Sequence, residues 1–132
     1  MRKLINTIVL VIAFVISLNA NALTVQCYYG PFVVPGYPNI PNPTLYSWTN
    51  WNAAEQWFYG TIRISATATK ISTSVSVTEN RIYIARLISG TTASLKAAFD
   101  GVGIYRFNTL ARAYIAEILL NTESDECSGY IS

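Results

Sequence analysis

Between positions 61 and 84 apolar and polar residues alternate with a period of two. Ile62, Ile64, Ala66 and Ala68 interleave with Thr61, Arg63, Ser65 and Thr67; Ile71, Thr73, Val75 and Val77 interleave with Ser72, Ser74, Ser76 and Thr78; Ile82 and Ile84 interleave with Arg81 and Tyr83. Such alternation, rich in β-branched residues, marks strands with one face on a core and the other in water. With turn material at Thr69-Lys70 and Glu79-Asn80, the pattern predicts a three-stranded antiparallel meander, its outer face covered by Ser, Thr, Arg and Lys. That Ser/Thr face is expected to be solvated sheet.

The flanking zones are less regular. The run LTVQCYY at 23–29 predicts a short strand. Pro31, Pro35, Pro38, Pro41 and Pro43 follow, dense enough to block both helix and ladder pairing, so an extended loop is expected there. Asn52-Ala-Ala-Glu55 has the form of a capping box opening a short helix through Trp57 and Phe58. Downstream, 93–99 predicts a short helix ended by Asp100-Gly101, and 102–107 a strand. Asn108 or Thr109 can cap a helix running to Leu120 or Asn121, and a closing strand at 127–131 follows. The helix over 109–121 carries only Arg112 and Glu117 as charges, so its apolar arc is wide enough to pack in a core or against another subunit. A homo-oligomer joined through that helix, between Leu110 and Leu120, is one arrangement this allows. The expected fold class is therefore α+β: an antiparallel sheet, or a small, partly open barrel, with a packed C-terminal helix.

One apolar stretch belongs to none of these elements. MRKLINTIVLVIAFVISLNANA, residues 1–22, has a basic head at Arg2 and Lys3, an apolar run of about fifteen residues that is short for a membrane span, and a small-x-small end at Ala20-Asn21-Ala22. This is the form of an export signal cleaved after Ala22, leaving one domain over 23–132, secreted or periplasmic, with no membrane span after processing. Removal of Arg2 and Lys3 leaves seven basic against seven acidic residues, so the mature chain is neutral. A neutral chain without a Lys/Arg cluster lacks the footprint of nucleic-acid binding.

Cys27 and Cys127 are the two cysteines of the chain, one near each end of the mature part. In an exported protein they are expected to pair. The loop so closed spans about 100 residues, for which the chain-entropy model gives on the order of 4.7 kcal/mol. The chain has no His, which removes the commonest general base and zinc ligand, and it holds no phosphate-binding glycine motif, so no metal or cofactor is expected.

What remains is aromatic. Tyr28, Tyr29, Tyr37, Tyr46, Trp48, Trp51, Trp57, Phe58 and Tyr59 are interleaved with Asn39, Asn42, Asn50, Asn52 and Gln56. Sugar rings present apolar C–H faces and a rim of hydroxyls, which flat aromatic faces and amides complement. The expected binding set is Tyr46, Trp48, Asn50, Trp51, Asn52 and Trp57, for a glycan or cell-surface receptor. The same spacing also suits Trp48, Trp51 and Phe58 as core anchors. Two other functions are open at this point. One is a structural or inhibitory envelope protein that docks a protein partner through the Pro-rich loop. The other is a small hydrolase in which Glu55 works with Asp100 or Glu117.

The segment FNTLARAYIAEILLN and the ending DECSGYIS, in a small exported chain with two cysteines, resemble the B subunits of bacterial AB5-type toxins. They are also similar to a looser group of secreted bacterial proteins with an RAY-type helix near a terminal Cys. The toxin resemblance implies an OB-like barrel, a pentameric ring with the helix lining its inner face, and a glycan receptor. It carries no binding residues over to this chain.

Overall fold

A computed structural model describes residues 23–31 and 43–132. The export segment 1–22 and positions 32–42, with Pro35, Pro38, Pro41, Tyr37, Asn39 and Asn42, lie outside the described residues. Seven strands and one short helix follow in the order β1 (Thr24–Gly30), β2 (Thr44–Asn50), α1 (Ala53–Phe58), β3 (Thr61–Lys70), β4 (Ser76–Ile84), β5 (Gly90–Leu95), β6 (Gly103–Ile115) and β7 (Ile118–Ile131). A 3-10 turn, Ala85–Leu87, lies between β4 and β5. The strands form two antiparallel sheets, ordered β1-β2-β5 and β4-β3-β6-β7. Their apolar faces pack on one another: Leu23 and Val25 meet Ile62, Ile64, Ala111 and Ala113 in one half of the core, and Leu45 meets Ala66, Ala68, Tyr105 and Phe107 in the other. The result is a two-layer sandwich.

The fold class is therefore mostly β, and the expected C-terminal helix is absent. Residues 109–121 run through β6, a two-residue turn and the start of β7. Phe107, Thr109, Ala111 and Ala113 point inward, while Asn108 and Arg112 are exposed on the other side. Leu, Ala, Arg and Glu favour a helix when taken alone. Here β3 on one side and β7 on the other offer a ladder to residues 109–114, and alanines at the inward positions let the opposite sheet approach. Tertiary pairing overrides local preference. No helix surface exists between Leu110 and Leu120 for subunits to share, and the stretch that carried the toxin resemblance is a hairpin.

Two further expectations change for the same reason. The segment expected as a helix at 93–99 supplies the end of β5, paired with β2 from Asn50↔Gly90 to Leu45↔Leu95. The meander has two strands where three were expected. Glu79-Asn80 lies inside β4, and the real turn is at 71–75, closed by Lys70 N–H donating to Val75 O at 3.0 Å. The phase also shifts: Ile82 and Ile84 face outward opposite Arg63 and Thr61, while Glu79, Arg81 and Tyr83 point between the sheets opposite Ala66, Ile64 and Ile62. Inward charges on an edge strand block its pairing with another chain.

The sandwich is fastened along one side. Cys27 of β1 and Cys127 of β7 form the expected disulfide, joining the sheets across a sequence separation of 100. Cys27 N–H donates to Asp125 Oδ2 at 2.9 Å, and the Tyr29 hydroxyl donates to Tyr130 O at 2.9 Å. Gly129 lies under the Tyr29 ring; a Cβ there would stand 2.0 Å from it. Deeper in, Ser47 of β2 and Thr109 of β6, both buried, share a hydrogen bond at 2.6 Å.

Candidate functional site

Alternation along β1 and β2 sorts their side chains by face. Val25 and Cys27, with Leu45, Ser47 and Thr49, turn into the sandwich; Gln26 and Tyr28, with Tyr46, Trp48 and Asn50, turn out. The antiparallel register then brings the outward set together. Tyr28 lies opposite Tyr46, and Gln26 opposite Trp48. Cross-strand neighbours on one face lie close enough for their side chains to touch. The Tyr28 and Tyr46 rings stack with centroids 5.4 Å apart and planes 29° apart. The Tyr28 hydroxyl donates to Gln26 Oε1, which holds that amide beside the Trp48 indole. These five side chains line an open hollow of about 330 Å³. Trp48 keeps 44% of its surface exposed there. Gly90, opposite Asn50, makes room for its amide: a Cβ at Gly90 would stand 2.6 Å from Asn50 Oδ1.

Of the six residues expected to bind, the fold assembles three: Tyr46, Trp48 and Asn50. Trp51 is a core residue, 3% exposed, with its indole N–H donating to Ala85 O at 3.0 Å. Asn52 is the cap of α1: its side chain accepts from Glu55 N–H at 2.8 Å, while Glu55 Oε1 accepts from Asn52 N–H at 3.0 Å. The expected capping box is therefore present. Trp57 is 86% exposed on α1 and is not among the residues lining the hollow. Gln26 and Tyr28 complete the site and were missing from the expected set. Their signal is the strand phase: counted in steps of two, Gln26 and Tyr28 fall opposite to Val25 and Cys27, just as Tyr46, Trp48 and Asn50 fall opposite to Leu45, Ser47 and Thr49.

Of the three carboxylates considered for catalysis, Asp100 lies far from Glu55, and Glu117 differs from Glu55 in exposure. Glu55 is buried in α1, and Glu117 is exposed in the β6–β7 turn, 3.6 Å from Arg63. Asp100 accepts from the Thr73 hydroxyl at 2.7 Å, beside the Lys70 end of β3. Glu55 lies near the other end of that ten-residue strand. The two are therefore separated by about 30 Å, against about 5–10 Å in a working glycosidase pair.

A second hollow of about 340 Å³ opens between β4 and β5, lined by Glu79, Arg81, Tyr83 and Thr91 among others. Its two charges already pair, Arg81 Nε donating to Glu79 Oε1 at 2.6 Å. Tyr83 accepts from the Thr91 hydroxyl at 3.2 Å. Its polar groups serve one another, whereas the β1–β2 face presents aromatic rings outward.

Among the described residues no group of three or more His, Cys, Asp or Glu side chains could hold a metal ion, and no helix is long and apolar enough to cross a membrane. No known family, curated protein or solved structure matches this chain.

Proposed function

We propose that this chain is an exported, non-catalytic binding module that holds a glycan, free or on a cell-surface receptor, on the outer face of β1 and β2. The observation that carries this reading is the stacked Tyr28–Tyr46 pair beside the exposed Trp48, flanked on one face by the amides of Gln26 and Asn50. None of the five side chains is charged. A neutral platform of flat rings suits a ligand whose faces are C–H and whose rim is hydroxyl; a charged ligand would find no counter-charge among them. Antiparallel strands hold the rings in place, so little ordering accompanies binding. The hollow is shallow and at the small end of ligand sites, which suits a short stretch of sugar chain at modest affinity.

The test is a glycan array followed by titration calorimetry on the best binder. Trp48→Ala is expected to weaken binding by about 1–2 kcal/mol, roughly 5- to 30-fold, from loss of one aromatic stack and its apolar area. Trp57→Ala is expected to change it less than twofold. Equal affinity in wild type and Trp48→Ala would refute the site.

A further inference from the structure

Glu55 does more than capping requires. Oε1 closes the capping box, a role that a glutamine fills as well. Oε2 is also buried and receives no hydrogen bond of regular geometry, and the residue is 5% exposed. The Leu23 main-chain N–H and the Tyr59 hydroxyl reach toward this carboxylate. Leu23, one residue ahead of β1, is itself 1% exposed and packs with Val25, Trp51 and Tyr59. It is also the residue at which the mature chain is expected to begin, the export signal ending at Ala22.

We propose that hydrolysis of the Ala22–Leu23 peptide bond creates the missing partner, and that the new α-ammonium group of Leu23 forms a buried ion pair with Glu55. This rests on the export reading given above. In the reaction, catalysed by a signal peptidase, water adds to the Ala22 carbonyl carbon and the C–N bond breaks. The carboxylate leaves with the leader, and the released amine takes up a proton. A single amide N–H facing Glu55 thereby becomes a full positive charge with three donors, the stronger partner for a buried carboxylate. None of the other groups nearby brings a positive charge to Glu55. Tyr59 stays protonated because burial pushes it up to about 12, and Asn121 of β7 donates to its hydroxyl at 3.4 Å. Glu123 acts on Tyr59 from the same strand, and Arg86 of the 3-10 turn packed on α1 is exposed. In the uncut chain burial raises the Glu55 pKa, with the Asn52, Tyr59 and Leu23 hydrogen bonds opposing it. Because successive strand residues advance about 3.4 Å, an amine one residue upstream misses the carboxylate. The fold thus recognises one cleavage register.

Cys27 makes the test practical, since a synthetic Leu23-Thr24-Val25-Gln26 thioester can be ligated to it with the Leu23 amine either free or acetylated. The free-amine chain is expected to melt more than about 8 °C above the acetylated one, the scale of a broken buried pair. The difference should vanish in Glu55→Gln. The pH dependence should change sign. With the amine free, the Glu55 pKa is depressed and stability is lost as pH falls through it; with the amine acetylated, that pKa is raised and stability is lost as pH rises through it. If Glu55→Gln fails to fold, NMR titration of the Leu23 amine in wild type decides, with a pKa above the usual ~7.7–8.0 expected. Equal melting of the two chains, or an unshifted amine, overturns the ion pair and leaves export standing. A mass spectrum of the exported protein that begins elsewhere than Leu23 overturns the processing step whatever the ligated chains show.

Discussion

Replacing Gly129 by Ala isolates the seam between β1 and β7. An added Cβ would meet Tyr29 Cδ2 at 2.0 Å and Cγ at 2.5 Å. Because Cγ is close to the backbone, the ring cannot escape by a small swing of its far end. It must leave Gly129, losing the hydrogen bond to Tyr130 O, worth about 1 kcal/mol. About half of a Tyr surface of some 200 Å² is covered, so roughly 100 Å² returns to water at about 25 cal/mol per Å², near 2.5 kcal/mol if all of it is lost. Alanine in a strand is intrinsically better than glycine by about 0.5–1 kcal/mol, which offsets part of this. The net expectation for Gly129→Ala is a loss of about 2–3 kcal/mol, a fall in melting temperature on the order of 10 °C. Urea denaturation of wild type, Gly129→Ala, Tyr29→Ala and the double variant, all with the disulfide intact, measures it. In the Tyr29→Ala background the clash is gone, so Gly129→Ala is expected to reverse sign and stabilise slightly. A cost of the same size in both backgrounds would refute the reasoning, since it would place the strain in the backbone and not under the ring.

Other outcomes follow from single contacts. Ala116 opens the two-residue β6–β7 turn at φ 51°, a left-handed conformation that costs a non-glycine residue about 1 kcal/mol, so Ala116→Gly is expected to raise stability by about that amount in chemical denaturation. Ser47→Ala leaves the buried Thr109 hydroxyl without its partner and should cost about 1–3 kcal/mol, whereas Ser47→Ala with Thr109→Val removes both ends and should cost less than the single change, as thermal melts can show. Burial raises the Tyr59 pKa to about 12, above its value in the unfolded chain. The stability tied to its protonation is therefore complete below pH 10 and lost as pH rises from 10 through about 12; Tyr59→Phe is expected to flatten that alkaline limb in pH-dependent denaturation.

Features that depend on a few adjacent residues were legible in the sequence. The capping box at Asn52–Glu55 needs only its own four residues, and the inward phase of Ile62, Ile64, Ala66 and Ala68 needs only alternation within one strand. The Cys27–Cys127 pairing followed from the presence of just two cysteines in a chain read as exported. Features that depend on a partner strand were not legible. Glu79 and Asn80 resemble a turn until β3 is seen to pair straight through them, and the alanines of 109–113 resemble a helix until β3 and β7 enclose them. The site divides in the same way. Tyr46, Trp48 and Asn50 share the phase of one strand, but Trp51 lies past the end of β2, where the chain turns inward and its indole reaches Ala85. Gln26 and Tyr28 join them only through a register set between distant segments.

The disulfide, the Asp125 contact and the Tyr29 hydroxyl all fasten the long side where β1 meets β7, and none of them acts where β4 faces β5. The protein is built like a bound book, with its spine at the cysteines and its fore-edge held more lightly, by the Thr91–Tyr83 hydroxyl contact. Any opening along the fore-edge therefore displaces the β5 margin most, while Tyr28, on the strand that forms the spine, and its stacking partner Tyr46 next to it move least.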